Sequence, residues 1–317
     1  MSTKFDVSLM VKVAQMYYND GMKQEEIAGS LSISRSLISM ILTEAKEAGI
    51  IQIIVRDPLK NNDELADRFK KGFNLKNCVI IPTSVQDADT LRRLVVQRTI
   101  EVFNNEVETG TVGLAWGRTC YQFVDSYKPN ELKRGFEIVS LIGGSNQTAE
   151  YFQLNEMVRL FAEKLNGIPH FIHAPVLAAS NEEKELFMNS SAMKDVREKW
   201  ESLDALVCSV GTPPSENRER YIGEFEIFKK DKNFAIGDMC ARYFSINGEF
   251  VINEDYDRVI SIPVECLKKA KKIICMASGF EKLSAIVGAL RTGIVDIFIC
   301  DEPTAKKVLD LVDIEKT

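Results

Sequence analysis

The sequence predicts an α/β chain in two parts: an all-α block with a little β over residues 1–57, then a doubly wound, mostly parallel α/β sheet over residues 58–317. Three observations lead there. The first fifty residues carry only helical apolar spacing; beyond residue 74 short continuous apolar runs alternate with helical stretches; and Asp57-Pro58, followed by a charged segment, separates the two patterns. A length of 317 residues accommodates two folding units, and an apolar share of 45% keeps the chain out of the composition range of disordered proteins.

Leu9, Met10, Val13, Ala14, Met16 and Tyr17 form one helical stripe, which Gly21 stops. Short helices over 24–31 and 35–48 follow, the second closed by Gly49 in a left-handed cap, and residues 50–55 have the composition of a strand. The charged amphipathic segment 59–73 is expected to be the linker. Beyond it, strands are expected at 78–81, 111–115, 137–142, 170–173, 205–210, 259–262, 272–277 and 294–300, with helices over 90–103, 153–165, 181–200 and 282–292. Continuous apolar strands imply a parallel sheet covered on both faces. Ligands of such sheets sit beyond the carboxyl ends of the strands, so the loops that follow strands are where chemistry is sought.

Within residues 24–42, Ile27, Leu31, Ile33, Ile38 and Ile41 fall where two steeply crossing helices share a core, and Ala28 falls where they approach closely. This is helix-turn-helix spacing. Ser34 is placed to cap the second helix, and Arg35, Ser36, Ser39, Met40 and Thr43 lie on its non-core side, so these six residues are the candidate DNA contacts. Arg35 suits guanine edges or phosphate, and the serine hydroxyls suit either. Ser32 stands at the turn position where glycine is commonest. Six Lys/Arg against seven Asp/Glu over residues 1–57 predict modest affinity per subunit, raised by symmetric oligomers on repeated half-sites.

A net charge of −6 gives no global field that draws nucleic acid, so any DNA contact is local. No apolar run approaches a membrane span and the start, Met1-Ser2-Thr3-Lys4, has no signal core; a cytoplasmic protein without membrane contact is expected. Seven widely spaced cysteines without a C-x-x-C pair are expected to be buried reduced thiols. Two histidines and no close Cys/His cluster argue against a metal centre, so no metal, no cofactor and no metal-sensing role are expected.

The loop Trp116-Gly117-Arg118-Thr119 follows an apolar strand and precedes a helix, the arrangement in which a glycine admits an anion to backbone amides and to the helix dipole. Its G-x-x-x-G-R-T spacing is one residue short of a nucleotide-binding P-loop, with Arg in place of Lys. A second loop, Gly143-Gly144-Ser145-Asn146, follows the next strand in the same way. Gly237-Asp238 and Ser278-Gly279-Phe280-Glu281-Lys282 add a carboxylate and an amine at later strand ends, groups that grip a polyol hydroxyl and a phosphate.

Taken together with Tyr17-Tyr18, Gln24-Glu25-Glu26-Ile27-Ala28, Ala174-Pro175 and Asp301-Glu302-Pro303-Thr304-Ala305, these motifs resemble the SorC family of sugar-responsive transcription regulators over essentially the whole chain. The resemblance implies a winged DNA-binding domain, an effector domain similar to sugar-phosphate isomerases, and a homo-oligomer, usually a tetramer, that changes its grip on operator DNA when a sugar or phosphosugar binds. Carried onto this chain, Gly117, Arg118 and Thr119 hold the effector phosphate and Gly143 and Gly144 form the second loop. Asp238 and Lys282 lie across the pocket, with Gln153 and Asn155 adding amides. Where some members place Lys or Arg before the double glycine, this chain has Ile142. A sugar-phosphate isomerase with an accessory DNA-binding domain is the alternative, with Asp238 as base. No histidine lies in the glycine loops, and the fused helix-turn-helix favours sensing over turnover, so no catalytic residue is assigned.

Overall fold

The computed structural model describes residues 5–51, 62–129, 133–146, 149–212, 235–251 and 257–314. The chain divides into two compact units, residues 1–59 and 60–317, a division two residues beyond the boundary read from Asp57-Pro58.

The first unit contains helices α1 (Val7–Tyr18), α2 (Gln24–Leu31) and α3 (Arg35–Glu47). Each start has a side-chain acceptor or acid that satisfies first-turn amides: Asp6 accepts from the Leu9 amide, Glu26 reaches back to the Lys23 amide, and Ser34 Oγ accepts from the Leu37 amide at 3.2 Å. Met10, Val13, Ile27, Ala28, Ile38, Ile41, Leu42 and Ala45 form its core, with Leu31 and Ile33 partly buried against it. Ser32 ends α2 at φ 54°, the left-handed conformation that the turn requires, here without glycine. The strand expected at 50–55, and with it the wing, lies mostly outside the described residues; Ile50 and Ile51, which are described, are not in a strand.

The second unit begins with α4 (Asp63–Phe73). This segment is a core helix, not the expected linker. Ala66, Phe69 and Phe73 are buried at helical spacing, and the Phe69 ring stacks on Phe298 with centroids 5.7 Å apart. There follow β1 (Asn77–Ile81), α5 (Ala88–Glu106), β2 (Gly110–Leu114), α6 (Arg118–Ser126), β3 (Phe136–Ser140), α7 (Leu154–Lys164), β4 (Ile168–His170), α8 (Asn181–Met188), α9 (Lys194–Glu201) and β5 (Ala205–Ser209). The chain continues through β6 (Gly237–Met239), β7 (Arg242–Phe244), α10 (Val264–Lys269), β8 (Ile273–Ala277), α11 (Leu283–Arg291), β9 (Ile297–Asp301) and α12 (Glu302–Ile314).

Among the described residues seven strands form one sheet in the order β1-β9-β8-β5-β2-β3-β4, every pair parallel. From β2 the chain steps outward through β3 to β4, returns to β5 on the other side of β2, and then steps the opposite way to β8 and β9. The direction therefore reverses between the neighbours β2 and β5, and parallel sheets open a crevice at the carboxyl ends of strands that diverge in this way. Every residue of β8 and β9 is buried, as expected for central strands covered on both faces. Phe103 of α5, Phe123 of α6, Tyr127 just after α6 and Phe161 of α7 pack with ring centroids 5.3–6.1 Å apart. At roughly 1.5–3 kcal/mol for each fully buried apolar side chain, such packing holds these helices on the sheet.

Three expected elements differ. Residues 259–262 form only isolated bridges, Leu177 with Val259 and Ile142 with Ser261, because they run antiparallel across the strand ends. The strand expected at 170–173 is the short edge strand β4, which ends at His170. The helix expected over 181–200 is broken by a 3-10 turn at Ser191–Met193 into α8 and α9.

Candidate functional site

On α3 the exposed residues Arg35, Ser36, Ser39, Met40 and Thr43 make one stripe, opposite the buried Ile38, Ile41, Leu42 and Ala45. Ser34 Oγ, besides capping the helix, lies 2.9 Å from Ser36 Oγ, and Thr43 donates to the Ser39 carbonyl. Arg35 is 3.6 Å from Glu25, with both side chains open to solvent. Such a pair is weak and leaves the guanidinium available for an external anion. Met40, 53% exposed, presents an apolar surface where a thymine methyl could be met.

In the second unit a cavity opens at the β2/β5 reversal. The loops after β2 (Ala115 to Thr119), β5 (Ser209 to Thr212) and β8 (Ser278 to Lys282) line it. Ala88 and Arg92 of α5, Tyr151, Asp238, Cys240 and Tyr243 complete the wall. Gly117 sits at φ 108°, which an L side chain adopts only with strain, and from it α6 starts directly. The first intrahelical bond runs from the Tyr121 amide to the Gly117 carbonyl, so the first-turn amides of Arg118, Thr119 and Cys120 have no helical acceptor. Arg118 and Thr119 stand at that helix start, and Thr119 is buried.

Across the cavity, Lys282 Nζ donates to the Val210 carbonyl at 2.8 Å. Burial lowers its affinity for a proton, an effect that the Glu281 and Asp238 carboxylates oppose and Arg118 reinforces. Asp238 is the middle residue of β6 in the β6–β7 hairpin, whose two turn residues, Cys240 and Ala241, both have positive φ (55° and 56°). Its Oδ2 accepts from the Ala241 amide at 3.2 Å, which helps hold this strained turn at the cavity wall. Burial raises the Asp238 carboxyl to about 6, against the opposing effects of that amide and of Lys282.

Of the nine residues assigned to the effector from the sequence, five therefore share one cavity: Gly117, Arg118, Thr119, Asp238 and Lys282. Four others are not among its lining residues. The Gly143 amide donates to the Ile260 carbonyl and the Gly144 amide to the Ala174 carbonyl, so neither is left for a ligand. A Cβ on Gly143 would lie 2.4 Å from the Pro175 carbonyl oxygen; this glycine serves close backbone packing. Asn155 spends its amide on the Ile172 backbone and on Ser140 Oγ, which ties α7 to the ends of β3 and β4. Gln153 precedes α7, two residues from Tyr151, which does reach the cavity.

Sequence reasoning missed Arg92, Ser209, Gly211, Thr212 and Tyr243. Gly211 was detectable as a glycine directly after an apolar run. Its backbone pairs with Asp238 in both directions, and a Cβ there would sit 2.0 Å from Asp238 Oδ1. His170 pairs with Glu137 and Asp195 at the β4 edge, and neither it nor His173 lines the cavity. All seven cysteines are buried, and burial pushes the thiols of Cys78 and Cys120 up to about 12, far from a reactive thiolate. Among the described residues no group of His, Cys, Asp and Glu is arranged to hold a metal, and no helix is long and apolar enough to cross a membrane.

The known proteins similar to this chain span both of its units. The family model described as "Putative sugar-binding domain" matches residues 57–310. The deoxyribonucleoside regulator of Bacillus subtilis is 28% identical over 305 residues, which cover 95% of this chain and 97% of the relative. The sorbitol operon regulator of Klebsiella pneumoniae is 28% identical over 314 residues, covering 98% of this chain and 100% of the relative. The crystal structure of that full-length regulator, SorC, superimposes with a TM-score of 0.73 at 26% identity, covering 96% of this chain and 99% of the other. With a helix-turn-helix followed by a sugar-binding domain, aligned end to end with these regulators, the chain belongs to the SorC family of transcription regulators.

Proposed function

We propose that this protein binds operator DNA of a carbohydrate-utilisation operon through α3, and that a sugar phosphate bound at the β2/β5 crevice changes that binding. The observation that carries the effector half is the convergence of the open first-turn amides of α6 with Arg118 and Thr119 at the point where the sheet reverses. A phosphate monoester fits there, and Trp116, Tyr151 and Tyr243 supply aromatic surface for a sugar ring. Asp238 and Lys282 suit the hydroxyl groups. Acting as a cytoplasmic homo-oligomer, a tetramer by family resemblance, the protein sets paired α3 helices at half-site spacing, and the effector changes that spacing. We assign the site binding without turnover because no histidine is among the residues that line it and the helix-turn-helix carried by the same chain favours sensing.

One experiment tests both halves. A panel of sugar phosphates is titrated into the protein by calorimetry with and without operator DNA, while NMR follows the sugar for conversion. The expected result is binding without conversion, with DNA and sugar changing each other's affinity by the same factor, typically worth about 1–3 kcal/mol. In the same assay Arg35→Ala weakens DNA binding by about 1–3 kcal/mol and leaves sugar binding intact. Conversion of the sugar without a reciprocal shift would overturn the sensor and restore the isomerase.

A further inference from the structure

The wall of the cavity beside Arg118 carries a second guanidinium. Arg92, on α5, lines the same cavity as Arg118 and Thr119. Its Nε donates to Gln122 Oε1 at 3.3 Å. Gln122 stands one helical turn after Arg118 on α6, so residues 118 and 122 share a face and Arg92 is held beside the helix start. The other end of the guanidinium, Nη2, is paired with Asp89 on its own helix. The two partners differ in setting: the Arg92 side chain is 23% exposed and that of Asp89 is 70% exposed. An ion pair with one partner so open to water is easily given up. A planar guanidinium, in contrast, meets two oxygens of a phosphate monoester at once.

We propose that Arg92 is the residue by which this cavity selects a dianionic phosphate monoester over a free sugar or a sugar acid, and that Asp89 is the carboxylate it exchanges for the phosphate. This rests on the effector reading above. Arg118, Thr119 and the α6 amides cover one side of the phosphate, and Arg92 closes the other. Two guanidinium charges balance a monoester, which carries −1.5 to −2 near neutral pH, whereas a carboxylate is balanced by one. Lys282, the third cation of the cavity, donates to the Val210 carbonyl on the opposite wall, so the two guanidinium groups at the α5–α6 corner are the ones that meet a phosphate there.

The test uses the full-length protein at pH 7.5, with pentose 5-phosphates, hexose 6-phosphates, the matching free sugars and aldonic acids as probes in calorimetry. Arg92→Gln is expected to lower affinity for the sugar phosphate by about tenfold and Arg92→Lys, which keeps the charge but loses the fork, by severalfold, with the free sugar unaffected. Asp89→Asn is expected to raise sugar-phosphate affinity by about two- to threefold, since the competing anion is gone. Melting temperatures without ligand report the fold, and the lysine variant serves if the glutamine variant does not fold. Wild-type sugar-phosphate affinity in both Arg92 variants, beside its loss in Arg118→Gln, would overturn the role of Arg92 and leave the phosphate site standing. A wild-type protein that takes up no sugar phosphate at all would overturn the effector reading and this inference together.

Discussion

At the scale of single residues the cavity is built from groups held away from their preferred states. Burial keeps the Asp238 carboxyl at about 6 rather than 3.8, and the Cys240-Ala241 turn it supports is left-handed without a glycine. The folded protein therefore binds the Asp238 proton more readily than the unfolded chain does. The stabilising contribution of this group is fully present below about pH 3.8 and is lost as pH rises through about 6. Asp238→Asn keeps an acceptor for the Ala241 amide but carries no charge. It is expected to be more stable than wild type by about 1–2 kcal/mol at pH 7–8 and to converge with it below pH 4. Urea unfolding of both proteins at a series of pH values measures this; a difference that does not vary with pH would show that the carboxylate is not the cause.

At the scale of elements, two glycine loops that look alike in the sequence do different work. Gly117 has open space around its missing Cβ, the nearest atom being Ser209 Oγ at 3.7 Å, but its φ of 108° demands glycine so that α6 can start at the crevice. Gly143 has an ordinary φ but no space, wedged against the Pro175 and Ala174 carbonyls. Gly143→Ala is expected to cost about 2 kcal/mol or more of stability by forcing that backbone apart. The affinity of folded molecules for a sugar phosphate should stay within about twofold, since the cavity wall does not include this loop. Denaturant melts together with calorimetry separate the two effects, and a selective loss of affinity at unchanged stability would return Gly143 to the binding site. The helix α4 makes a related point: its 59–73 segment looks like a charged connector until Phe298 of β9 supplies a partner for Phe69.

At the scale of the whole molecule, residues 1–59 and 60–317 each hold their own apolar core. A fragment that begins at Asn62, just before α4, should therefore fold without the helix-turn-helix. Its melting temperature is expected within about 3 °C of the corresponding transition in the full chain, because no core residue is removed. It should bind a sugar phosphate as the full chain does when DNA is absent. Differential scanning calorimetry of both forms decides this; a fragment that fails to fold would make the two units one cooperative structure.

Local pattern alone determined the helix-turn-helix, the alternation of strands and helices, and the strand-to-helix turn at Gly117, because each rests on periodicity or turn chemistry within a few residues. The tertiary structure decided the rest. Which glycine loop faces a ligand depends on strand order, and that order is fixed by pairings such as β2 with β5 that join residues more than ninety positions apart. Arg92 and Gly211 belong to the cavity only because the reversal at β2 and β5 carries α5, the β5 loop and the β6–β7 hairpin to one place. No spacing in the chain encodes that convergence; the packing of the sheet and its helices creates it.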